Sequence, residues 1–320
     1  MSPRVLITDH VFGGLDVEQA ILEPLGAEIM HAPATDEATL VELARFADAI
    51  LVCYAQVTRP VVEAAAGAGC KVIARYGIGY DNVDVGAAAE HGIVVTYVPD
   101  YCLDEVADHA MALLLSLARG VAEASAVVRA GGWKVPQGTV HRLRGRRLAL
   151  IGVGRIGRKL AERAAAFGYE VTGYDPYASE LPGMARAATL EEAVAEADVI
   201  SLHAPLTDDT RHVIGPETIA MMRRAPIVVN TARGPLVDLE AATRALEDGT
   251  IGGLALDVTE PEPLPDGHVL RSHPRAVITP HTAFYSAEAQ AELQRRAVEE
   301  VARALRGEPP HRPVPQMVGS

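Results

Sequence analysis

Leu148-Ala149-Leu150-Ile151-Gly152-Val153-Gly154-Arg155-Ile156-Gly157 is the stretch whose reading decides the fold. Four apolar residues run into a GxGxxG pattern, and a helical pattern over residues 159–167 follows it closely. In such a strand–turn–helix unit the first glycine permits the tight turn. The second lets backbone approach a pyrophosphate, and the third brings helix and strand together. The helix start adds N–H donors and the positive end of its dipole. The next strand pattern, Glu170–Tyr174, ends at Asp175, about twenty residues on, where an acidic side chain accepts the adenosine ribose hydroxyls. Pro176 and Tyr177 stand where a 2′-phosphate would want arginine, so the expected cofactor is NAD and not NADP.

Outward from this motif, short apolar runs alternate with Ala-rich helical patterns. Runs at residues 5–7, 49–52, 72–74 and 93–95 form one series, and those at 147–151, 170–174, 199–202, 227–230, 254–256 and 277–279 form another. Alternation of this kind predicts parallel sheets covered on both faces, hence an α/β protein with two doubly wound layers. Between the series, residues 103–119 carry Val106, Ala110, Leu113, Leu114 and Leu117 at helical spacing, on a helix long enough to bridge two domains. Gly131-Gly132-Trp133 and Pro136-Gln137-Gly138 predict turns after it, and a final helical pattern, Ala287–Leu305, stops at Gly307.

Composition narrows the function. The 320 residues exceed what one core usually organises, and 49% hydrophobic against 22% charged residues describes a folding chain. A net charge of −13 repels phosphate backbones, which argues against a nucleic-acid partner. No signal-peptide pattern and no eighteen-residue apolar run occur, so the expectation is a cytoplasmic protein without a membrane partner. Cys53, Cys70 and Cys102 lack metal or redox spacing, and no histidine pair has ligand spacing; no metal is expected.

Three strand-end segments carry polar groups that a core would not accept: Asn230-Thr231-Ala232-Arg233-Gly234, Asp257-Val258-Thr259-Glu260-Pro261-Glu262-Pro263 and Thr279-Pro280-His281-Thr282. Singly, Arg233 reads as a solvated charge, Glu262 as a loop residue and His281 as a helix cap. Ligands of open parallel sheets bind beyond the carboxyl ends of the strands, where an Arg, a Glu and a His can meet over one crevice.

Together with Gly152–Gly157 and Asp175, these segments resemble the D-isomer-specific 2-hydroxyacid dehydrogenases over nearly the whole chain. Arg75-Tyr76-Gly77-Ile78-Gly79-Tyr80-Asp81-Asn82 is similar to that family's substrate loop. Residues 102–109 and 281–286 are most similar to its C-terminal-binding-protein branch, which contains a corepressor as well as enzymes. The resemblance implies a Rossmann NAD-binding domain at 101–284, a discontinuous flavodoxin-like substrate domain at 1–100 plus 285–320, and a homodimer built through the cofactor domains. It implies interconversion of a small D-2-hydroxy acid and its 2-oxo acid. His281 would be the acid/base, Glu262 its orienting carboxylate, and Arg233 the clamp on the substrate carboxylate or carbonyl. It further implies Arg155 and Ile156 at the pyrophosphate, and His203-Ala204-Pro205 with Thr210 along the cofactor groove. Thr231, Ala232 and Asp257 would stand at the nicotinamide end. The Tyr76–Gly79 amides would cradle the substrate carboxylate, with Arg75 and Phe284 facing its side chain; core packing is an equal reading of Phe284. An NAD(H)-sensing scaffold and a phosphite- or phosphonate-type dehydrogenase are the alternatives. Thr282 departs from the small residue commonest after the family's histidine.

Overall fold

The computed structural model describes residues 2–134 and 140–315, so the turn expected at Pro136-Gln137-Gly138 lies outside the described residues. The chain divides into two compact units, Met1–Tyr101 with Ser286–Ser320, and Cys102–Tyr285. In chain order the first unit begins β1 (Arg4–Ile7), α1 (Asp16–Leu22), β2 (Glu28–His31), α2 (Glu37–Ala44), β3 (Ala49–Val52), α3 (Arg59–Ala68), β4 (Val72–Arg75), α4 (Val85–Glu90) and β5 (Val94–Thr96). The second unit holds α5 (Leu103–Ala118), α6 (Val121–Arg129), β6 (Arg147–Ile151), α7 (Arg155–Ala166), β7 (Glu170–Tyr174), β8 (Ala185–Arg186), α8 (Leu190–Val194) and β9 (Val199–Leu202). It continues through α9 (Pro216–Met221), β10 (Ile227–Asn230), α10 (Leu239–Asp248), β11 (Gly253–Leu256) and β12 (Ala276–Ile278), and α11 (Ala287–Leu305) returns to the first unit.

In the first unit five parallel strands run in the order β2-β1-β3-β4-β5, the flavodoxin-like winding. Leu6, Ile50, Val52, Ile73 and Val95 form a core with Leu40 of α2 and Val61 and Val62 of α3. On α11, Ala297, Val298 and Val301 are also buried. β2 has no counterpart among the sequence-predicted strands. It is an edge strand whose residues are half-buried or exposed, so it lacks the continuous apolar run that marks the others. The C-terminal segment is tied down by Glu300, which accepts the His311 N–H at 2.9 Å, and by Val314, whose N–H donates to Val95 O at 2.9 Å.

The second unit is a seven-stranded parallel sheet in the order β12-β11-β10-β9-β6-β7-β8. The order reverses between β6 and β9, and that switch point opens a crevice beyond the carboxyl ends of the strands. Alternate residues of the central strands feed two cores. Ile200, Leu202, Val228, Leu254 and Leu256 pack with Val194, Ile219 and Leu246, whereas Leu148, Leu150, Val199, Val229 and Ala255 pack with α5 and α7. Burial on both faces is why these strands read as unbroken apolar runs. The inward side chains of α5, among them Ala107, Ala110, Leu113 and Leu114, belong to this unit's core. β8 is a two-residue edge strand with no apolar signal, and it too escapes the sequence pattern.

At the opposite, amino-terminal end of the sheet the Asp198 side chain is only 3% exposed. Its oxygens accept Arg146 Nη1 at 2.9 Å, Arg224 Nε at 3.0 Å and the Arg147 N–H at 2.9 Å. Removing a buried partner from such a cluster leaves its donors unsatisfied. Asp198→Ala is expected to lower stability by about 2–3 kcal/mol, read as a shift of the urea midpoint with unchanged slope.

Candidate active site

The turn after β6 has the geometry its glycines predict. Gly152 has φ 86°, and a Cβ there would lie 2.6 Å from Ala204 N in the segment after β9; only glycine fits. Gly154 differs. Its backbone is extended, φ −74° and ψ −161°, and a Cβ there would meet nothing within 4 Å. No packing among the described residues demands a glycine at this position, which leaves room for a group approaching the backbone at the start of α7, as a bound pyrophosphate requires. Arg155 and Ile156 form the first turn of α7.

Asp175, just beyond β7, turns its carboxylate back on this loop. Oδ2 accepts the Val153 N–H at 2.8 Å, and Oδ1 accepts the N–H groups of Tyr177 at 2.9 Å and Ala178 at 3.0 Å. Across the switch point, His203-Ala204-Pro205 follows β9. His203 Nε2 lies 2.9 Å from Ser201 Oγ, and withdrawal from water pushes the imidazole down to about 4, so it is neutral at pH 7. Thr210 folds onto the same segment, its hydroxyl donating to Pro205 O at 2.7 Å. These residues fit a dinucleotide: open backbone at Gly154, a carboxylate at the ribose position and a neutral groove wall.

Arg233 follows β10 in a turn built by Asn230, whose Nδ2 donates to Arg233 O at 2.7 Å and whose Oδ1 accepts the Ala232 N–H at 3.0 Å. Arg233 Nη1 donates to Ala232 O at 2.8 Å. The next residue must be small. A Cβ on Gly234 would sit 2.1 Å from Thr259 O, so the Arg233 turn lies directly against the loop that carries Glu262. Thr231 is buried, and its hydroxyl has no hydrogen-bond partner among the described residues, an orphan polar group of the kind a bound ligand satisfies.

Glu262 and His281 meet. His281 Nδ1 lies 3.0 Å from Glu262 Oε2, while Oε1 accepts the Thr259 N–H at 3.0 Å. A carboxylate only accepts, so Nδ1 carries the proton and donates, leaving Nε2 as the working nitrogen. Partial burial acts to raise Glu262, but the His281 hydrogen bond and charge, the Thr259 N–H and the nearby Arg233 guanidinium together hold it below the usual carboxylate range. His281 has φ 53°, left-handed and unfavourable for a residue with a Cβ, and its N–H donates to Asp257 O at 2.8 Å.

The structure also places the other residues that the resemblance singled out. The Asp257 side chain is 1% exposed and grips its own neighbourhood: Oδ1 accepts the Thr279 hydroxyl at 2.6 Å and the Thr282 N–H at 2.9 Å, and Oδ2 the Ala283 N–H at 2.8 Å. Phe284 is half-buried beside this loop. Arg75, Tyr76, Gly77, Ile78 and Gly79 lie at the carboxyl end of β4, in the first unit. The Tyr76 ring is 1% exposed and turned into that unit's core, its hydroxyl donating to the buried Glu18 at 2.8 Å; only its backbone remains for a ligand. The Arg75 guanidinium bends back to Tyr76 O and faces the Tyr54 ring at 5.9 Å, so it is held within its own loop. Sequence reasoning missed Thr259, Asn230 and Thr279, whose roles are local hydrogen bonds with no spacing signature. The cysteines are free and buried, and burial pushes Cys53 and Cys70 up to about 12.

A family model, the NAD-binding domain of the D-isomer-specific 2-hydroxyacid dehydrogenases, matches residues 111–283. The chain is 36% identical over 330 residues to the glyoxylate reductase of Korarchaeum cryptofilum, covering 99% of this chain and 97% of that one. It is 39% identical over 312 residues to the D-3-phosphoglycerate dehydrogenase of Methanocaldococcus jannaschii, covering 95% of this chain but spanning only 58% of that relative. Among solved structures, the TT0316 protein of Thermus thermophilus matches with a TM-score of 0.88 at 38% identity, covering 97% of this chain and 99% of that one. The D-lactate dehydrogenase of Aquifex aeolicus, complexed with NAD and lactic acid, matches with a TM-score of 0.85 at 29% identity, covering 95% of this chain and 96% of that one. The finer placement near the C-terminal-binding-protein branch rests on the residues quoted for it alone. The chain belongs to the D-isomer-specific 2-hydroxyacid dehydrogenase family.

Proposed function

We propose that this protein is an NAD-dependent dehydrogenase and reductase that interconverts a small D-2-hydroxy acid and its 2-oxo acid. The observation that carries the reading is the His281–Glu262 hydrogen bond of 3.0 Å, on loops beyond β11 and β12 of the sheet that also carries the dinucleotide turn. NADH held at the Gly152–Gly157 turn and Asp175 would supply the hydride for the carbonyl carbon. Negative charge then develops on the carbonyl oxygen, and His281 Nε2 delivers the proton that neutralises it. Glu262 holds the ring in the tautomer that leaves Nε2 for this task and stabilises the imidazolium before transfer. Arg233 offers a planar cationic fork to the substrate carboxylate or carbonyl. Asp175 selects the ribose diol, since a 2′-phosphate placed there would face a carboxylate. The same reading makes the protein a cytoplasmic homodimer joined through its cofactor units. In support, Val121, Val128, Trp133 and Phe167 of that unit are exposed, and Val121 and Phe167 line an apolar groove with Leu115 and Leu143. No single helix among the described residues is long and apolar enough to cross a membrane.

With NADH and a panel of glyoxylate, hydroxypyruvate, pyruvate and aromatic 2-oxo acids, at least one acid is expected to be reduced, and His281→Ala should lose roughly 10²-fold or more in turnover. Full activity in that variant would remove the acid/base assignment. NADH should be preferred over NADPH by roughly tenfold or more in kcat/KM, with Asp175→Ser narrowing the gap; equal use of both would contradict the role of Asp175.

The pH dependence has a definite sign. Reduction takes up a proton and oxidation releases one, so a rise in pH favours oxidation over reduction. Glu262, depressed in the folded protein, contributes its stabilisation above the unfolded value of 4.5 and loses it as the pH falls through the lower folded value. Glu262→Gln removes the charge that favours the imidazolium, so the reduction rate at pH 7 should fall about tenfold. A reduction rate at pH 7 equal to that of the wild type would contradict this coupling.

A further inference from the structure

The second unit contains another histidine, which the proposed chemistry leaves idle. His109 projects from α5 with its side chain 25% exposed, and its Nε2 lies 3.0 Å from Thr279 Oγ1 and 3.5 Å from Asp257 Oδ1. Thr279 Oγ1 is 2.6 Å from the same Asp257 oxygen. Proton positions follow by elimination. An ionised carboxylate only accepts, so the 2.6 Å contact takes the one proton that Thr279 has. Towards His109 the threonine oxygen is then an acceptor, and Nε2 must carry hydrogen.

We propose that His109 is a positioning residue for the hydride-transfer reaction, fixed as the Nε2–H tautomer at the head of a one-way chain from His109 through Thr279 to Asp257. The chain sets the Asp257 carboxylate, which then spans the N–H groups of Thr282 at 2.9 Å and Ala283 at 2.8 Å, the two residues directly after His281. His281 itself stands at φ 53°, a conformation that a non-glycine residue keeps only when its surroundings over-determine it. Glu262 fixes the ring on one side, and the Asp257 clamp fixes the backbone on the other. A one-way chain also polarises each member in the same sense, so the clamp is stiffer than three separate contacts. A phenylalanine at 109 would fill the same space without a donor, and a valine at 279 would match threonine in shape without the hydroxyl.

The role rests on the reading of His281 as the acid/base, and the experiment separates the two. Imidazole ¹⁵N spectra of the whole protein at neutral pH are expected to show His109 with protonated Nε2, and in Thr279→Val to show both tautomers of His109 with displaced His281 resonances. Thr279→Val and His109→Phe should lose about tenfold or more in kcat while folding cooperatively, and Thr279→Ser should recover to within about twofold of the wild type. An Nδ1–H tautomer at His109 in the wild type, unmoved His281 resonances in Thr279→Val, or full kcat in that variant would each overturn the proposal. If no 2-oxo acid is reduced by the wild type, the parent reading fails by itself, and the spectra still decide whether the chain exists and reaches His281.

Discussion

The backbone at His281 is the constraint on which the candidate site turns. Its left-handed conformation is held by main-chain bonds to Asp257 and Thr279, by the Asp257 carboxylate across the next two residues, and by the ring's bond to Glu262. Each of those partners sits just beyond the end of β11 or β12, adjacent parallel strands. A parallel sheet brings consecutive strand ends to one edge, so loops distant in sequence become neighbours without any long excursion of the chain. The Arg233 turn joins them from β10 because Gly234 has no side chain to hold it away from Thr259.

The dinucleotide end follows the same logic with different residues. Gly152 is needed by the protein's own packing against the segment after β9, whereas no described residue crowds Gly154. One glycine therefore brings two halves of the sheet together at the switch point, and the other keeps a path open for the ligand. Asp175 is pre-oriented by three backbone N–H groups, and the neutral imidazole of His203 places no cation in the groove wall.

Twelve strands occur among the described residues, and the ten that the sequence marked are mostly buried on both faces. β2 and β8, at sheet edges, have too little apolar continuity to stand out. Within the site, Gly152, Gly154, Gly157 and Asp175 were legible because a phosphate-binding turn has a fixed spacing. Arg233, Glu262 and His281 were legible as polar groups at strand ends that can meet over one crevice, and their roles came from the family resemblance. Asn230, Thr259, Thr279 and His109 were not, since each acts through one or two hydrogen bonds to groups brought near by the sheet.

The amino-acid sequence by itself determined the α/β class, the parallel winding and the position of the dinucleotide turn, because these depend on local periodicity and on the steric freedom of glycine. Only the tertiary structure decided which nitrogen of His281 faces Glu262, that Asp257 grips the loop after His281, and that the Tyr76 ring leaves its loop for the core. Those outcomes depend on directions and distances between residues far apart along the chain, and a hydrogen bond is specified by the donor's aim at its acceptor, which no pattern of residue types encodes.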